Sequence, residues 1–434
     1  MKKLDEQFII DLSKKKNEPK WMLDFRLESF RMYQKLDNPD FGPEIDLDLD
    51  SILYYKDSIQ DNVDDWNKVN DEIKDTFCNL GVIKAEKEYL GGVTNQYESE
   101  VVYHKNKSND GVIFLSTDDA LKQYPDLFKK YFNSLVKYDE NKYTALNGCV
   151  WSGGTFIYIP KNTKLDRPLQ SYFRINSKNM GQFERTLIIV DDNSELHYIE
   201  GCTAPTYTED ALHAAVVEIF VGKNAKCRYT TIQNWSTDVY NLVTKRAIVE
   251  ENGLMEWIDG NVGAGTNMKY PCCILNGEYA RGSCITVAAA GKNQIQDTGA
   301  KMIHLAPHTK SNIISKSIAS NGGNATYRGT VRIGKNANNS VANVKCDTII
   351  LDSESKSDTI PTNIVDNKTS YLEHEATVSK IEEDKLFYLM SRGLDEDKAK
   401  ELIVLGFVNT FREELPMEYA VELNRLLSMT IGGV

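Results

Sequence analysis

The sequence lacks the features that mark membrane proteins, secreted proteins and nucleic-acid-binding proteins. It has no run of 18 apolar residues, so we predict no membrane-spanning helix. No basic block is longer than Lys14-Lys15-Lys16, and the net charge is −12, so we expect neither nucleic acid nor a membrane surface as a partner. The N-terminal residues contain no apolar stretch of the signal-peptide type, which predicts a cytoplasmic location.

The motifs of common hydrolases and nucleotide-binding enzymes are also missing. The patterns G-x-S-x-G, H-E-x-x-H and G-x-x-x-x-G-K-[ST] do not occur. The dipeptides Gly222-Lys223, Gly291-Lys292 and Gly334-Lys335 lack both the earlier glycine and the following hydroxyl of a phosphate-binding loop. We therefore predict that the chain does not cleave a nucleoside triphosphate by itself.

Eight cysteines are present, but none forms a C-x-x-C pair, so the zinc-ribbon and thioredoxin patterns are absent. Reduced thiols in a cytoplasmic protein can be core residues, metal ligands or sulfur carriers, and composition does not choose among these. We expect most of them to be buried: Cys78 in a helix, Cys149, Cys227 and Cys284 in strands, and one of Cys272 and Cys273. Cys202 lies in a segment marked by Gly201 and Pro205, where we expect a turn and an accessible thiol.

Three regions follow one another along the chain. Residues 1–140 show mainly helical spacing of apolar residues, and residues 373–434 return to amphipathic helical patterns. Residues 141–372 carry short β-branched and aromatic runs separated by glycine and asparagine. These boundaries predict an N-terminal helical domain, a β core and a C-terminal helical domain.

Two details of the helical regions can be predicted. Ser379 and Glu382 have the spacing of a capping box, Gly393 is placed to end that helix, and Asp395 is placed to cap the next one. Acidic residues dominate residues 37–65, which we interpret as a solvated linker, with a docking strip for a basic partner as the alternative.

An asparagine recurs at the ends of strand-like runs in the middle region. The four positions are Asn193, Asn224, Asn252 and Asn336, and their spacings are 31, 28 and 84 residues. A strand-only repeat of about 30 residues is typical of a β-solenoid, and asparagine suits its corners because it tolerates the left-handed conformation. A β-sandwich with regular turns is the alternative. We predict a mainly β protein with a β-helix core and helical ends.

Metal-ligand residue types collect near the end of the predicted core. Cys346 precedes Glu373, His374 and Glu375 by 27 to 29 residues. Thiolate and imidazole with carboxylate suit iron or zinc. Strand alternation places the two glutamates on one face and His374 on the other. The alternative is a strand end with solvated acids and an exposed histidine.

Five further polar or amphipathic residues stand out in the strand region. Arg174 and Asn176 are predicted to share one strand face, as are Gln233 and Trp235, and Lys245 follows a strand. Such side chains are costly in a dry core. They either point outward or line a wet polar channel inside the solenoid.

A set of short motifs spread over nearly the whole chain resembles the SufB/SufD family, and most closely its SufB branch, the scaffold subunits of the SUF iron–sulfur cluster assembly machine. The motifs are residues 16–22 (KNEPKWM), 171–176 (SYFRIN), 181–186 (GQFERT), 200–205 (EGCTAP), 233–235 (QNW), 243–246 (VTKR), 269–271 (KYP), 297–299 (DTG), 301–304 (KMIH), 346–347 (CD), 373–377 (EHEAT) and 414–418 (ELPME).

The resemblance implies a right-handed parallel β-helix flanked by helical domains and a scaffold rather than an enzyme. It implies that persulfide sulfur enters at Cys202 and that a nascent, transient iron–sulfur cluster forms near Cys346. The residues implied to line the tunnel between them are Arg174, Asn176, Gln233, Trp235 and Lys245. The residues implied to bind iron or cluster with Cys346 are Glu373, His374 and Glu375.

The resemblance also implies partners. The C-terminal helices match the docking site for the ABC-type ATPase SufC, and the end of the β-helix matches the contact with SufD or with a second SufB copy. A cysteine desulfurase and its sulfur-shuttle protein supply the sulfur. Reduced flavin accompanies some assemblies of the family, but this sequence has no flavin motif.

Two departures from the family pattern limit what can be carried over. Residues 352–358 lack a cysteine and a histidine that some relatives have, so a partner subunit is expected to supply ligands. The cysteine-rich N-terminal motif of some longer members is also absent. The remaining alternatives are a SufD-like structural subunit and a carbohydrate-active β-helix lyase.

Overall fold

The structure is a computed structural model that describes residues 3–57, 60–108, 111–205, 210–415 and 417–432. Within these residues the chain forms a parallel β-solenoid of about eight turns, with helices before and after it. Each turn contributes one strand, or two short strands in line, to each of two sheets that face one another across the interior. The predicted fold class is therefore confirmed.

The helices lie at both ends of the chain. Their bounds are α1 (Glu6–Lys15), α2 (Lys20–Tyr33), α3 (Asp71–Asn79), α4 (Val82–Glu88), α5 (Thr117–Gln123), α6 (Pro125–Tyr131), α7 (Lys142–Val150), α8 (Glu383–Ser391), α9 (Glu396–Phe407), α10 (Asn409–Arg412) and α11 (Met417–Gly432). Two short 3₁₀ turns are Leu49–Ser51 and Trp66–Lys68. Across the described residues, no helix has both the length and the apolar character needed to cross a bilayer.

The strands, in chain order, are β1 (Gly92–Tyr97), β2 (Glu100–Asn106), β3 (Ile113–Ser116), β4 (Thr155–Ile159), β5 (Leu169–Arg174), β6 (Gly181–Gln182), β7 (Arg185–Val190), β8 (Glu195–Thr203), β9 (Ala211–His213), β10 (Val216–Val221), β11 (Lys226–Trp235), β12 (Val239–Val249), β13 (Leu254–Gly263), β14 (Thr266–Lys269), β15 (Cys272–Leu275), β16 (Arg281–Ala290), β17 (Ile295–His304), β18 (Lys310–Ala319), β19 (Asn324–Ile333), β20 (Val341–Ile350), β21 (Lys356–Val365) and β22 (Tyr371–Lys380). Sheet one has the order β2-β1-β5-β8-β11-β13-β16-β18-β20-β22. Sheet two has the order β21-β19-β17-β14-β12-β10-β7-β4-β3, with β15, β6 and β9 beside this path. The strand pairs are parallel except β1 with β2 and β3 with β4.

One corner of the solenoid is built from stacked residues in the left-handed conformation. These residues, which have φ between 54° and 61°, are Asn162, Asn193, Asn224, Asn252, Tyr279, His308 and Asn339. The Nδ2 atom of Asn224 donates to Asn193, and that of Asn193 donates to Asn162. The repeat is thus the corner predicted from the sequence. The prediction was wrong for Asn336, because the seven-residue turn after β19 moves the left-handed position to Asn339.

Helices cover part of the outer face of each sheet. The C-terminal helices pack on sheet one, where Val404 and Leu427 join Ile232, Ile258 and Val287 in one apolar cluster. The N-terminal helices pack on sheet two through a second cluster that includes Phe128, Trp151 and Leu187. Burial of these apolar surfaces stabilises helices that are too short to form a large core alone.

Two predicted boundaries differ from the structure. Residues 1–140 contain β1, β2 and β3, and these strands extend the two sheets of the solenoid beyond its first turn. At the other end, β22 continues to Lys380, so the boundary at residue 373 falls inside the last strand. The apolar residues of these flanking segments have mainly helical spacing, so the pattern does not reveal the short strands. Of these strands, β1 and β2 bury apolar residues against α3 and α4.

The predicted helix signals have mixed outcomes. Asp395 caps α9 by accepting from the Lys398 amide at 2.7 Å, and Gly393 is left-handed after α8, as predicted. The prediction of a capping box was wrong, because Ser379 belongs to β22 and Glu382 precedes α8 without a side-chain cap.

The acidic segment 37–65 does not fit the linker interpretation. In its described part Ile52 and Tyr54 are buried, and Leu53 pairs with Met180 beside the solenoid. The apolar residues between the acids therefore anchor this segment to sheet two.

Candidate functional site

The interior of the solenoid holds a polar network at the level of β11 to β14. Lys245 Nζ lies 3.2 Å from Glu200 Oε1 and 2.9 Å from Thr231 Oγ1. Gln233 is also buried, and its Oε1 accepts from Asn241 Nδ2 at 2.9 Å. Lys245 and Gln233 thus point inward, and of the two alternatives for these residues the structure supports the polar interior.

A second buried ion pair belongs to the same network. Lys269 Nζ lies 2.8 Å from Asp259 Oδ1 and donates to Gln233 Oε1 at 3.0 Å. Burial raises the pKa of Asp259, but the positive charges of Lys269 and Lys245 have the larger combined effect. The pKa of Asp259 therefore lies below the usual value. The motif at residues 269–271 is part of the family resemblance, but no sequence pattern predicts that Lys269 and Asp259 lie in the interior.

Trp235, Arg174 and Asn176 have three different environments. Trp235 is buried, and its ring lies 4.7 Å from the ring of His213, which pairs with Glu184. Arg174 ends β5 and donates to Thr203 Oγ1 at 3.3 Å. Asn176 lies beyond the end of β5, so the predicted shared strand face of Arg174 and Asn176 is wrong.

Cys202 is a buried strand residue. It lies in β8 at 1% exposure, in a small cluster with Phe173 and Trp235. Burial raises the pKa of its thiol well above the usual value, and Glu200 and Glu184 add to that effect. The predicted accessible turn is therefore wrong, since β8 runs through Gly201 and leaves the thiol inside.

Cys346 and His374 meet on the inner face of sheet one near its end. The Sγ atom of Cys346 lies 3.1 Å from Nε2 of His374, and Asn363 Nδ2 lies 3.2 Å from Nδ1 of the same ring. Burial and then Asp347 raise the pKa of the Cys346 thiol to about 12. Thiolate sulfur and imidazole nitrogen are a donor set that suits iron.

Glu373 and Glu375 lie on the opposite face of β22, as strand alternation predicts. Glu373 accepts from the Tyr371 hydroxyl at 2.7 Å, and Glu375 pairs with Lys345 at 3.4 Å. The structure does not bring these carboxylates to Cys346. Among the described residues, no group of three or more His, Cys, Asp and Glu side chains is arranged to hold a metal ion.

The remaining thiols do not join either group. Cys227, Cys273 and Cys284 are buried in strands of the interior, as predicted for Cys227 and Cys284. Cys149 is buried in α7 and not in a strand, and Cys78 is exposed on α3 where we predicted burial.

The strand register connects the two regions of the interior. One inward column on sheet one runs through paired residues of successive turns: Ser171, Glu200, Thr231, Asp259, Thr286, Ser315 and Cys346. Five strand spacings separate Glu200 from Cys346, which corresponds to about 24 Å. Facing this column, sheet two carries Lys269, Thr298 and Tyr327 in register.

Several buried polar atoms between these regions have no hydrogen-bond partner in the part of the chain that the structure describes. They are Gln233 Nε2, Thr298 Oγ1, Ser315 Oγ and the Tyr327 hydroxyl. Unsatisfied buried polar groups are costly, and they mark places where water or another polar species is accommodated. The polar column and these unpaired atoms follow the same direction through the solenoid.

Comparison with known proteins gives a consistent assignment. The SufBD core domain of the SUF system for FeS cluster assembly matches residues 173–407, and the SufBD N-terminal region matches residues 13–171. An iron–sulfur cluster assembly SufBD family protein of Staphylococcus aureus strain MRSA252 is 57% identical over 434 residues, which cover 99% of this chain and 93% of the relative. A protein of the same description from Staphylococcus haemolyticus is 56% identical over the same shares of the two chains.

Proposed function

The chain belongs to the SufBD family of iron–sulfur cluster assembly proteins, and from this premise we propose that it is a SufB-type scaffold and not an enzyme. In this proposal Cys202 receives persulfide sulfur from a cysteine desulfurase through its shuttle protein. The sulfur passes through the polar interior to Cys346. There a two-electron donor, such as a reduced flavin or a dithiol, releases it as sulfide, which combines with iron. The finished cluster is cargo that is handed on to apo-proteins in the cytoplasm.

The observation that carries the proposal is the polar column that links the level of Cys202 to Cys346. Cys202 pairs in register with Gln233, next to the column that contains Glu200 and ends at Cys346. Buried Lys245 and Lys269 lie near Cys202 and oppose the increase in its pKa. A thiolate or persulfide anion at Cys202 would be stabilised by these cations, since opposite charges interact strongly in a buried site.

The open end of the solenoid supports a subunit interface there. Within the described ranges, the last strands, β21 and β22, each have a sheet neighbour on one side only. Both strands carry exposed apolar residues, which are Ile360, Ile364, Val365, Tyr371 and Val378. We propose that SufD or a second copy of this chain covers this end. That partner would supply the cluster ligands that Cys346 and His374 do not provide.

The C-terminal helices support contact with the ABC-type ATPase. Helix α8 contains no buried residue, and Phe387 and Tyr388 are 73% and 56% exposed. An apolar surface of this kind on a helix that contributes little to the core is typical of a protein contact. We propose that α8 forms part of the SufC-docking surface.

Anaerobic reconstitution of the full chain with ferrous iron and sulfide tests the proposal. We expect absorbance and Mössbauer spectra of an iron–sulfur cluster for the wild type and for the matched control Cys78→Ser, in which an exposed thiol is removed. Cys346→Ser should lose most of the signal, and Cys202→Ser should lose transfer of labelled sulfur from the desulfurase. Equal assembly by Cys346→Ser would refute the assignment.

A second candidate function is a SufD-like structural subunit. The observation that favours it is that Glu373 and Glu375 point away from Cys346, which leaves this chain with two inward ligands. Reconstitution in the presence of the partner subunits distinguishes the two functions. A structural subunit would show no change in cluster yield when Cys346 is replaced in the complete assembly.

A further inference from the structure

A pocket of about 300 Å³ opens at the surface near Cys202. It lies where strands β11, β13 and β16 of sheet one end and the chain turns toward sheet two, and α11 forms the facing wall through Leu426 and Met429. Trp235, the last residue of β11, and Ala204, which follows β8, also line this pocket. The same two residues pack in the apolar cluster that contains Cys202, so the pocket reaches the surroundings of that thiol.

Trp235 stands between the pocket and Cys202. Cys202 pairs in register with Gln233, and Trp235 lies two residues further along β11, so it shares the inward face with a Cα atom about 8 Å from that of Cys202. The Trp235 ring reaches sheet two, where its centroid lies 4.7 Å from that of the His213 ring. One side chain thus bridges the two sheets at this corner, and Cys202 behind it is only 1% exposed.

The Trp235 ring is held by packing and not by a hydrogen bond. Its Nε1 atom is buried and has no hydrogen-bond partner among the residues that the structure describes. An indole N–H usually finds a partner when it is buried, and an unpaired one is costly. The closed position of the ring therefore lacks the polar contact that would resist a rotation into the adjacent pocket.

The rim of the pocket carries a cation. Lys292 lines the pocket, is exposed, and forms no ion pair within the described part of the chain. Lys245 and Lys269 in the interior are each paired with a carboxylate, so the charge of Lys292 is the one that faces an approaching molecule. A deprotonated persulfide is an anion, and the rim is therefore complementary to a donor that presents a cysteine persulfide.

We propose that this pocket receives the persulfide-bearing cysteine of the sulfur donor and that Trp235 is the gate between the pocket and Cys202. The identity of the donor rests on the proposed function. When the ring swings aside, the Cys202 sulfur attacks the terminal sulfur of the donor persulfide. A bond forms between these two sulfurs, the sulfur–sulfur bond of the donor breaks, and the proton of Cys202 leaves with the donor thiol. Cys202 keeps the persulfide, and no electrons are gained or lost overall.

Labelling of Cys202 with N-ethylmaleimide tests the gate on the full chain without any sulfur chemistry. Mass spectrometry of the Cys202 peptide gives the labelling rate. Trp235→Ala should raise this rate at least about tenfold, because the thiol no longer depends on a local opening. Thr237→Trp places a large ring at an exposed position of the pocket and should lower the rate at least about fivefold, because the opening is then obstructed.

Two controls separate gating from a general loosening of the fold. Phe173→Ala removes a buried ring that pairs in register with Cys202 on the side away from Trp235, and its labelling rate should stay well below that of Trp235→Ala. Thr410→Trp adds the same ring as Thr237→Trp to an exposed position of α10 and should label at the wild-type rate. All variants are labelled well below their measured Tm. Equal exposure of Cys202 in Phe173→Ala and Trp235→Ala would overturn the gate.

Transfer of labelled sulfur to Cys202 from the desulfurase and its shuttle protein tests the donor. Thr237→Trp should slow this transfer at least about fivefold, and Thr410→Trp should not change it. Normal transfer in Thr237→Trp would place the entrance elsewhere, which overturns the proposal and leaves the scaffold function intact. Gated labelling in a wild type that accepts no sulfur would support the gate and count against the proposed function.

Discussion

The Sγ atom of Cys346 lies 3.1 Å from Nε2 of His374, although 28 residues separate them in the chain. The pairing of β20 with β22 produces this contact, because it places Val344 opposite His374 and Cys346 opposite Ala376 on the inner face. The same pairing turns Glu373 and Glu375 outward. The motif from Glu373 to Glu375 is therefore divided between the interior and the surface.

This division gives a prediction for iron binding. In the isolated chain His374→Gln should reduce ferrous iron retained with sulfide at least about tenfold, because it removes one of two inward ligands. Glu373→Gln and Glu375→Gln are the matched controls, and each should retain iron within twofold of the wild type. Iron content after anaerobic desalting measures the effect. The prediction would be contradicted if Glu373→Gln and Glu375→Gln lost iron while His374→Gln retained it.

The buried His304 predicts an acid-sensitive fold. Its ring lies 2.8 Å from both Thr309 Oγ1 and Ser311 Oγ, and burial lowers its pKa from 6.5 to about 4. The unfolded chain binds this proton first as the pH falls. The contribution of His304 to stability is therefore complete above pH 6.5 and is lost progressively down to about pH 4.

Between pH 7 and pH 5 this effect should remove about 2 kcal/mol of the free energy of unfolding. Denaturant unfolding measures this effect. Between pH 7 and pH 5 the free energy of unfolding of His304→Gln should fall by about 2 kcal/mol less than that of the wild type. His308→Gln changes a half-buried histidine at a corner position and should keep the wild-type pH dependence. Identical pH profiles for the wild type and His304→Gln would show that another group causes the acid sensitivity.

The solenoid could be predicted from the sequence because its corner repeats in residue type. Asn193, Asn224 and Asn252 share one backbone conformation, which asparagine tolerates better than most residues do. The repeat could not be followed beyond Asn252 by residue type. Tyr279 and His308 adopt the same conformation without being asparagine or glycine.

The site could be predicted only in part. Alternation along β22 correctly separated His374 from the two glutamates. The prediction of an accessible Cys202 was wrong because Gly201 does not mark a turn. A Cβ atom at Gly201 would lie 2.5 Å from the Tyr172 ring, so this glycine makes room for that ring on a continuous strand. The column from Glu200 to Cys346 depends on the register of six strands, which no local pattern specifies.

The asparagine corner can be tested by substitution at Asn224. Its φ of 54° disfavours residues with a Cβ atom, and its side chain donates to Asn193 Oδ1 at 3.1 Å. Asn224→Ala should therefore lower the free energy of unfolding by about 1–3 kcal/mol. Asn224→Gly should cost less, because glycine adopts this conformation freely and only the side-chain hydrogen bond is lost. Denaturant unfolding measures both, and an equal or larger loss for the glycine variant would contradict the conformational explanation.

The proposed ATPase contact is best tested by point substitutions on α8. Deletion of the C-terminal region from residue 377 onward would cut β22 and uncover the apolar face of sheet one that α9 and α11 protect, so lost binding would not identify the contact. Phe387→Ser changes an exposed side chain that does not belong to that cluster. We expect at least about a tenfold weaker Kd for SufC, since exposed aromatic residues often dominate protein contacts.

The matched control for this experiment is Val421→Ser, which changes an apolar side chain of α11 that is 63% exposed. Both variants should keep the wild-type Tm, because neither side chain is part of the core. Isothermal titration calorimetry with the ATPase measures the affinities. If Phe387→Ser binds as tightly as the wild type while Val421→Ser does not, the docking surface lies on α11 near Val421 and not on α8.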